Sequence, residues 1–585
     1  MHELVRVLTM AKVSSNEKDS ASVEIQQQNS SSDGDDLSKF NGREKFGPIL
    51  LKLVGTDKER ILLEEAQANL KLATETGYAP ELRRNFGVLS LLGVGFGLTN
   101  SWFGISASLV TGISSGGPLL IVYGIIIIAT ISLGIGSSLS ELASAMPNAG
   151  GQYYWTMKLA PKKYAAFASY MCGALGWAGS VFTSASVTIS IATGLVGMYV
   201  LGTGDPNKTV ETWQVFITYE IVNLLLVVFN LWEKPLPTFL KASLYVSLAS
   251  FVVITIVVLA KSSGNYQDAR FVFVEFSNGT GWSSSGIAFI VGLINPNWSF
   301  SCLDAATHMA EELLEPERQI PIAIMGTVAI GFVTSFIYSI CMFLSIRDLD
   351  ALFSSNTGVP IMDIFYQALQ SRGGAIGLEV LIMLTAIGCN INSHTWQARL
   401  CWSFARDNGL PGSRYWSKVS PRTGVPINAH LMSCAWCAVI GCIYMGSTTA
   451  YNAMVIGCII FLLLSYSIPV TFLLLKGRDT IKHGPFWLGK VGFVGNIVLV
   501  CWTVFATVFY SLPPVMPVTA GNMNYVCVVL AVYVSYCVIY WVCRGRSKYT
   551  TIEDREKEIE ELTHQLSNKV EQLELSMSHP ARGIS

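Results

Sequence analysis

Two apolar stretches of this sequence are interrupted near their middle by helix breakers and polar residues. The first, residues 93–104, is rich in glycine and holds Asn100, Ser101 and Trp102 in succession. The second, residues 295–304, opens with Asn-Pro-Asn and ends at Asp304. Unpaired backbone groups are not tolerated in lipid, so broken helices in a membrane line cavities. Paired interruptions of this kind predict a solute-binding site. The alternative is that the glycines only allow close helix packing.

Asp304 is an ionisable residue inside the second interrupted stretch. Charged groups within a membrane are costly and usually functional. Its carboxylate can neutralise a substrate cation or hold a coupling proton, and a structural hydrogen-bonding role is the alternative. On a continuous helix Asp304 would share a face with Trp298, Ser301 and His308.

Three aromatic residues, Trp102, Trp298 and Phe300, lie at the two interruptions. A quaternary ammonium has no N–H to donate, and aromatic faces are its natural host. These rings therefore predict an aromatic site for a small organic cation, with Asn100 and Ser101 as neighbours. Packing or gating is the alternative role for each ring.

Three further residues are candidates for binding, coupling or gating. His394 lies two residues before Trp396 in an apolar stretch. A histidine titrates near neutral pH, which suits proton coupling, although a polar histidine satisfied between helices is equally consistent with the sequence. Glu141 ends another apolar stretch just before Met146-Pro147, where we predict a gate or helix-end role.

The elements that position these residues are membrane-spanning helices. Of the 585 residues, 51% are hydrophobic and 14% are charged, against roughly 25% charged in ordinary soluble domains. A span needs about 20 apolar residues. Twelve windows qualify, near 87–110, 118–145, 164–200, 213–232, 238–261, 285–309, 321–345, 373–404, 425–446, 451–475, 491–511 and 523–543. The sequence thus predicts an all-α polytopic membrane protein.

Charge alternates between the loops in a way that orients the spans. Loops and flanks on the side of both termini carry twenty Lys or Arg residues between Arg83 and Lys548, against five on the other side. By the positive-inside rule both termini are predicted to be cytoplasmic. Two glycosylation sequons, at Asn207 and Asn278, then fall in outside loops.

The tails differ from the apolar body in composition. Residues 1–80 are polar and predicted to be disordered. Residues 81–548 form the predicted transporter domain, with repeats near 86–261 and 285–475 and extra helices near 491–543. Residues 549–585 carry a short heptad pattern, which predicts either a partner-binding or self-associating helix or a solvated one. The heptad positions are Ile552, Ile559, Leu562, Leu566 and Leu573.

Enzyme and cofactor signatures are weak. The G-x-S-x-G match at 112–116 lies in a loop without the strand that a nucleophile elbow requires. Neither a Walker nor an HExxH pattern occurs. Most of the thirteen cysteines, including Cys434 and Cys437, lie in apolar runs and are interpreted as small buried hydrophobes. We therefore predict no enzyme, no cofactor, no metal site and no nucleic-acid partner.

Several motifs resemble those of a known family. Residues 137–155, 315–321 and 405–411 resemble conserved stretches of amino acid–polyamine–organocation (APC) permeases. Residues 98–105 are similar to the fungal amino acid/choline transporter branch of this family, and residues 286–296, 298–304, 429–436 and 483–489 resemble the choline permeases of that branch. The resemblance implies a leucine-transporter-like fold of two inverted five-helix repeats plus two helices, in the plasma membrane. It also implies uptake of choline, and of ethanolamine, at a site between spans one, three, six, eight and ten, with Trp298 as gate and Asp304 in coupling.

One departure from the APC pattern concerns the substrate. Amino acid carriers of this group hold the substrate carboxylate at a Gly-Ser-Gly-type break, and Asn100-Ser101-Trp102 puts a bulky ring there. This argues against a standard α-amino acid but does not separate choline from 4-aminobutyrate. The prediction is proton-coupled choline import. The alternatives are a 4-aminobutyrate or amino acid permease and a non-transporting nutrient sensor.

Overall fold

A computed structural model describes Tyr78 and residues 81–205, 207–353, 355–551, 553–554, 556–557 and 559–560. The chain divides into two units. Glu81–Arg555 contains the apolar helices, and Met1–Pro80 with Glu556–Ser585 lies mostly outside the described residues. The predicted disordered tail and all heptad positions except Ile559 also lie outside them.

Eleven helices among the described residues are long and apolar enough to cross a membrane. We number them by their place in the predicted series. Spans 1 to 5 are Val88–Ala107, Leu109–Ala145, Lys162–Thr203, Thr212–Asn230 and Leu236–Ser262. Spans 7 to 12 are Pro316–Leu344, Arg372–Arg406, Ile427–Gly446, Thr448–Lys476, Lys490–Phe509 and Val526–Cys543.

The sixth predicted window is not one helix. It consists of Ser285–Gly292, Ile294–Ser299 and, after a non-helical stretch, the 3₁₀ helix Thr307–Glu312. We call this whole segment span 6. With it the described residues supply twelve candidate crossings. The outer ends of spans 1 and 12 then lie on one side, which we call the terminal face. The prediction of an all-α polytopic fold is confirmed.

Span 2 contains a backbone break that was not among the two predicted interruptions. Gly116 and Gly117 leave the helical region, with φ of 69° at Gly117, and Pro118 follows. Glycine tolerates positive φ and proline suits a first helical turn. Span 2 is therefore kinked next to Pro118, the predicted start of the second window, and the residues of the G-x-S-x-G match before Gly116 are helical instead of the predicted loop.

The helices pack in a pattern that repeats after five spans. Span 2 packs against span 7, span 3 against span 8, and span 4 against span 9. Span 3 also contacts spans 4 and 10, and correspondingly span 8 contacts spans 9 and 5. Because five is odd, the second set of five crosses in the opposite sense to the first. This is the leucine-transporter-like arrangement, with spans 11 and 12 packed outside it on spans 2 and 10.

The connections place short helices on both faces of the bundle. Gln152–Leu159 joins spans 2 and 3 on the terminal face, and Pro360–Leu369 precedes span 8 on the opposite face. The sequon residues Asn207 and Asn278 are exposed in loops of that opposite face.

The body of the bundle extends slightly past span 12. The Tyr549 side chain is buried and its hydroxyl lies 2.8 Å from that of Ser169. The Thr550 N–H donates to the carbonyl of Asp407. These residues lie just beyond position 548, where the sequence placed the end of the transporter domain.

Candidate functional site

The break in span 1 lies at Asn100. Its backbone is left-handed, with φ 36° and ψ 62°, a conformation that asparagine adopts more readily than most residues. The Ser247 hydroxyl of span 5 donates to Asn100 Oδ1 at 3.1 Å. The Cys389 thiol of span 8 donates to the Leu98 carbonyl at 3.0 Å. Neighbouring spans thus bond to the groups that the break frees.

The glycines before this break serve close packing. A Cβ on Gly93 would lie 2.6 Å from the Leu240 carbonyl oxygen of span 5. A Cβ on Gly97 would lie 2.6 Å from the Asn392 amide nitrogen of span 8. The packing interpretation therefore holds for these glycines, while the break is a separate feature at Asn100.

The break in span 6 is wider. Residues 300–306 are non-helical, and Cys302 has a φ of 64°, which is uncommon for a residue with a Cβ. The two breaks meet directly, because the Thr99 hydroxyl donates to the Ser301 carbonyl at 3.0 Å. The Asn295 amide donates to the Ile105 carbonyl at 3.3 Å. Spans 1 and 6 are therefore hydrogen-bonded to each other at two places, between Thr99 and Ser301 and between Asn295 and Ile105.

A small cavity lies where the two breaks meet spans 3, 8 and 10. It has room for about one water molecule. Residues at the carboxyl ends of both half-helices form part of its wall, and every described residue that lines it is uncharged. The lining residues are Leu98, Thr99, Phe103, Thr183, Val187, Trp298, Ser301, Cys302, Cys389 and Cys458.

Two aromatic rings face this cavity. Trp298 and Phe103 meet edge to face with ring centroids 6.4 Å apart. The Trp298 indole N–H donates to the Ser186 hydroxyl of span 3 at 3.3 Å. Phe103 was not among the predicted site residues. The left-handed residue at 100 turns the following half-helix, so the ring next to Trp102 reaches the cavity.

The other two predicted rings lie outside the cavity lining. Trp102 is fully buried, with its ring 5.2 Å from that of Tyr338 and its N–H donating to Ser247 at 3.0 Å. Phe300 is buried against Gly331 of span 7. Of the three rings predicted to surround the cation, only Trp298 lines the cavity.

Asp304 anchors a buried hydrogen-bonded group that we call the proton cluster. Asp304 Oδ1 accepts from the Tyr466 hydroxyl of span 10 at 2.6 Å, and Oδ2 lies 3.0 Å from His308 Nε2. His308 Nδ1 lies 2.7 Å from the carbonyl oxygen of Ala149. The side chains of Asp304, His308 and Tyr466 are at most 3% exposed. The cluster therefore joins span 6, span 10 and the loop after span 2.

The proton count of this cluster follows from its acceptors. A carbonyl only accepts, so His308 Nδ1 carries a hydrogen and donates it to Ala149. His308 Nε2 and Asp304 Oδ2 then face each other and must share a further proton. Either the carboxyl donates to a neutral imidazole or an imidazolium donates to the carboxylate. Removal of that proton leaves two lone pairs opposed at 3.0 Å.

Sequence reasoning named Asp304 but not His308 or Tyr466 as site residues. Gly151, within the family-like stretch 137–155, was a possible sequence signal for His308. Gly151 has a φ of 50°, and a Cβ there would lie 3.2 Å from His308 Cε1. A glycine is needed there because the histidine ring lies against its backbone.

The remaining predicted site residues are dispersed. The Ser101 hydroxyl lies against Gly331, as Phe300 does. The His394 ring lies 5.7 Å from that of His430 of span 9, away from the residues that line the cavity. Trp396 is fully buried, and within the described part of the chain its N–H has no hydrogen-bond acceptor.

Two ion pairs join spans 6 and 8 at the terminal face, one fully buried and one with Arg406 partly exposed. Arg406 of span 8 donates to Glu311 at 2.6 and 2.9 Å. Arg399 donates to Glu312 at 2.9 Å. Both glutamates belong to span 6. We call these two pairs the terminal lock.

Glu141 closes a second part of the same face. Arg478, which follows span 10, donates to both carboxylate oxygens at 2.9 and 3.0 Å. The Leu488 N–H before span 11 donates to the same carboxylate at 2.7 Å. Glu141 thus ties span 2 to the segments that follow span 10 and precede span 11, and it is not among the residues that line the cavity.

The segment before span 1 adds to this closure. The Trp402 indole N–H donates to Glu81 at 3.3 Å, and Arg406 stacks over the same indole. Burial raises the pKa of the Glu81 carboxyl, while the charge of Arg406 opposes the shift. This carboxyl therefore keeps its proton to a higher pH than a solvated glutamate.

Comparison with known proteins gives the chain's relatives. The amino acid permease family model matches residues 86–533. The chain is 60% identical to the choline transporter of Saccharomyces cerevisiae over 85% of this chain and 88% of that protein. It is 34% identical to the 7-keto 8-aminopelargonic acid transporter of the same yeast, over 82% and 95%. It is 30% identical to an amino-acid permease of Arabidopsis thaliana, over 84% and 96%.

Proposed function

From the chain's membership of the amino acid permease family, we propose that it imports choline across the plasma membrane together with protons. The chain is a multi-pass membrane transporter. The observation that carries the proposal is the uncharged, ring-bearing cavity between the two breaks. The 60% identity to a choline transporter supports the same substrate.

The cavity wall suits a quaternary cation. The carboxyl ends of two half-helices point their negative dipole ends at it. Trp298 and Phe103 offer ring faces and edges. The Leu98 and Ser301 carbonyls each already accept one hydrogen bond, whereas the ring faces can hold a quaternary ammonium that has no N–H to donate. We therefore expect choline to be preferred over ethanolamine.

Entry of choline requires movement of the breaks. The present cavity admits about one water molecule, so spans 1 and 6 must part from spans 3, 8 and 10 before substrate binds. Trp298 and Asp304 belong to the same broken segment of span 6. Motion of that segment therefore changes the cavity and the proton cluster together.

The proton cluster supplies a coupling mechanism. With one proton shared between Asp304 and His308, the hydrogen bonds to Ala149 and Tyr466 hold span 6 in place. Loss of the proton sets the carboxylate against an imidazole lone pair, and the segment must move to relieve the repulsion. Proton release toward the cytoplasm would thus be linked to release of choline on that side.

The orientation follows from charge. The face that carries the terminal lock has the excess of Lys and Arg, which places it in the cytoplasm by the positive-inside rule. The opposite face, with Asn207 and Asn278 exposed, then lies outside. Substrate would enter from that face while the lock is closed.

The test is uptake of labelled choline by purified full-length protein in liposomes, with and without an inward proton gradient. We expect accumulation that the gradient increases and that unlabelled choline blocks at lower concentration than ethanolamine or 4-aminobutyrate. Stronger inhibition by 4-aminobutyrate would instead assign an amino acid permease. Choline binding without flux of any of the three would assign a sensor.

A further inference from the structure

A second buried group of ligand-type side chains lies away from the cavity. His394 comes from span 8, and His430 and Cys434 come from span 9. One potential ligand atom of each residue lies within 4.8 Å of the other two, and all three side chains are buried. We propose that these residues, which we call the thiol cluster, bind one thiophilic cation, Zn²⁺ or Cu⁺.

The distances suit a single cation between the three atoms. Cys434 Sγ lies 3.6 Å from His430 Nδ1 and 3.9 Å from His394 Nδ1. A cation about 2.3 Å from sulfur and about 2.0 Å from nitrogen keeps such atoms roughly 3.5–3.8 Å apart at tetrahedral to trigonal angles. Small side-chain adjustments are enough to bring the three ligands to bonding distance.

The tautomer of His430 is already the one a metal requires. His430 Nε2 lies 3.0 Å from the carbonyl oxygen of Val227, so Nε2 carries the hydrogen. The lone pair is then on Nδ1, which faces the sulfur. Metal-binding histidines typically donate their other N–H to such an outer acceptor. Val227 is in the 3₁₀ end of span 4, so the cation would connect spans 4, 8 and 9.

The sulfur also has an outer partner. The Gln397 amide N–H lies 3.7 Å from Cys434 Sγ, where it can donate to a thiolate. Cys434 has a single S–H, yet two ring nitrogens face it at distances too long for strong hydrogen bonds. A cation would engage both Nδ1 atoms at once.

The ligand set selects the class of ion. Thiolate and imidazole favour Zn²⁺ and Cu⁺ over hard cations such as Mg²⁺ and Ca²⁺, which prefer oxygen. Binding would release the Cys434 proton. This proposal does not rest on choline transport, because the cluster lies in continuous helices outside the cavity wall.

The experiment measures bound metal in the purified full-length protein. Protein is exposed to Zn²⁺, or to Cu⁺ held by a weak chelator, and desalted before elemental analysis. We expect about one cation per chain, a higher Tm with the cation, and an X-ray absorption spectrum with one sulfur and two nitrogen neighbours. The arm that gives the larger Tm increase identifies the ion.

The matched variants are Cys434→Ser and Cys437→Ser. Cys437 is a buried cysteine one turn along the same helix, and its thiol faces Val181 and Gln397 instead of the histidines. Cys434→Ser should reduce bound cation to background, whereas Cys437→Ser should retain it. His430→Gln gives a second loss variant, with size-exclusion elution as the check on folding. Equal loss in both cysteine variants, or no binding by the unmodified chain, would overturn the proposal.

Discussion

His308 and His394 are both fully buried histidines in membrane-crossing segments, but their neighbours differ. His308 is held between a carbonyl and a carboxylate at 2.7 and 3.0 Å. His394 faces a thiol at 3.9 Å and a second imidazole. Oxygen partners at hydrogen-bond distance favour a shared proton, whereas sulfur and nitrogen at longer distance favour a metal ion.

The two clusters also differ in the backbone that carries them. Asp304 of the proton cluster lies in the non-helical part of span 6, residues 300–306, which also contributes Ser301 and Cys302 to the cavity wall, and His308 lies in the 3₁₀ helix that follows. The thiol cluster is built on the continuous helices of spans 8 and 9. If both proposals hold, the proton cluster is an ion site that moves with the substrate site and the thiol cluster is a fixed one that joins helices.

The largest expected effect belongs to Asp304→Asn. The asparagine oxygen can accept from Tyr466 and its amide can donate to His308, so the variant should fold like the protonated protein. It cannot release a proton. We expect pH-driven accumulation, about tenfold per pH unit for one coupled proton, to fall to none. Choline counterflow without a gradient should persist. Unchanged accumulation would remove Asp304 from the coupling mechanism.

The histidines are compared directly by His308→Gln and His394→Gln. Loss of a hydrogen bond to a charged group costs about 1.5–3 kcal/mol, so His308→Gln should slow gradient-driven uptake about tenfold to a hundredfold. His394→Gln should change it about twofold or less, because the ring lies outside the cavity lining. Equal losses of uptake in the two variants would mean that both histidines take part in coupling. The proposed difference between the two clusters would then be wrong. Initial uptake rates at matched surface expression decide this.

Trp298→Ala tests the substrate side of the moving site. Loss of a desolvated cation–π contact costs about 2 kcal/mol, so the KM for choline should rise about tenfold to thirtyfold. The control is Trp102→Phe, which removes the bond to Ser247 and should lower Tm while leaving KM unchanged. A KM increase only in the Trp102 variant would identify Trp102, and not Trp298, as the ring that binds choline.

The smallest effect on transport is expected for Cys434→Ser. If the thiol cluster is fixed, initial choline uptake should stay within about twofold of the unmodified protein. A tenfold loss at normal expression would show that the cluster takes part in the transport cycle. In that case the proton cluster and the thiol cluster would both be needed for transport.

The sequence was sufficient to predict the crossings and the two breaks because both depend on local properties. Apolar length predicts a span, and helix breakers with polar residues at mid-membrane depth predict a break. The second break lies later than Asn-Pro-Asn suggests, because these three residues are helical in Ile294–Ser299 and the non-helical stretch is 300–306. The predicted bounds of span 5, 238–261, agree closely with Leu236–Ser262. The two-repeat arrangement was predicted from resemblance and follows in the structure from helix packing.

Side-chain partners were harder to predict because they depend on rotation and on distant segments. Helical spacing placed His308 on the face of Asp304, yet residues 300–306 are non-helical and the actual contact forms through a turn. Trp102 was assigned to the site, whereas the bend at Asn100 brings Phe103 there. The contact of His430 with His394 joins residues of separate helices that no local pattern relates.

The terminal lock has a consequence for leakage. A carrier that opens at both ends at once becomes a channel, and the ions it meets would run down the membrane potential. Arg399 and Arg406 occur less than two turns apart on span 8, and their partners are consecutive residues of span 6. Because separating one pair strains the other, the two ion pairs of the terminal lock should break together. A carrier with Glu311→Gln and Glu312→Gln would therefore pass an uncoupled current in the absence of choline.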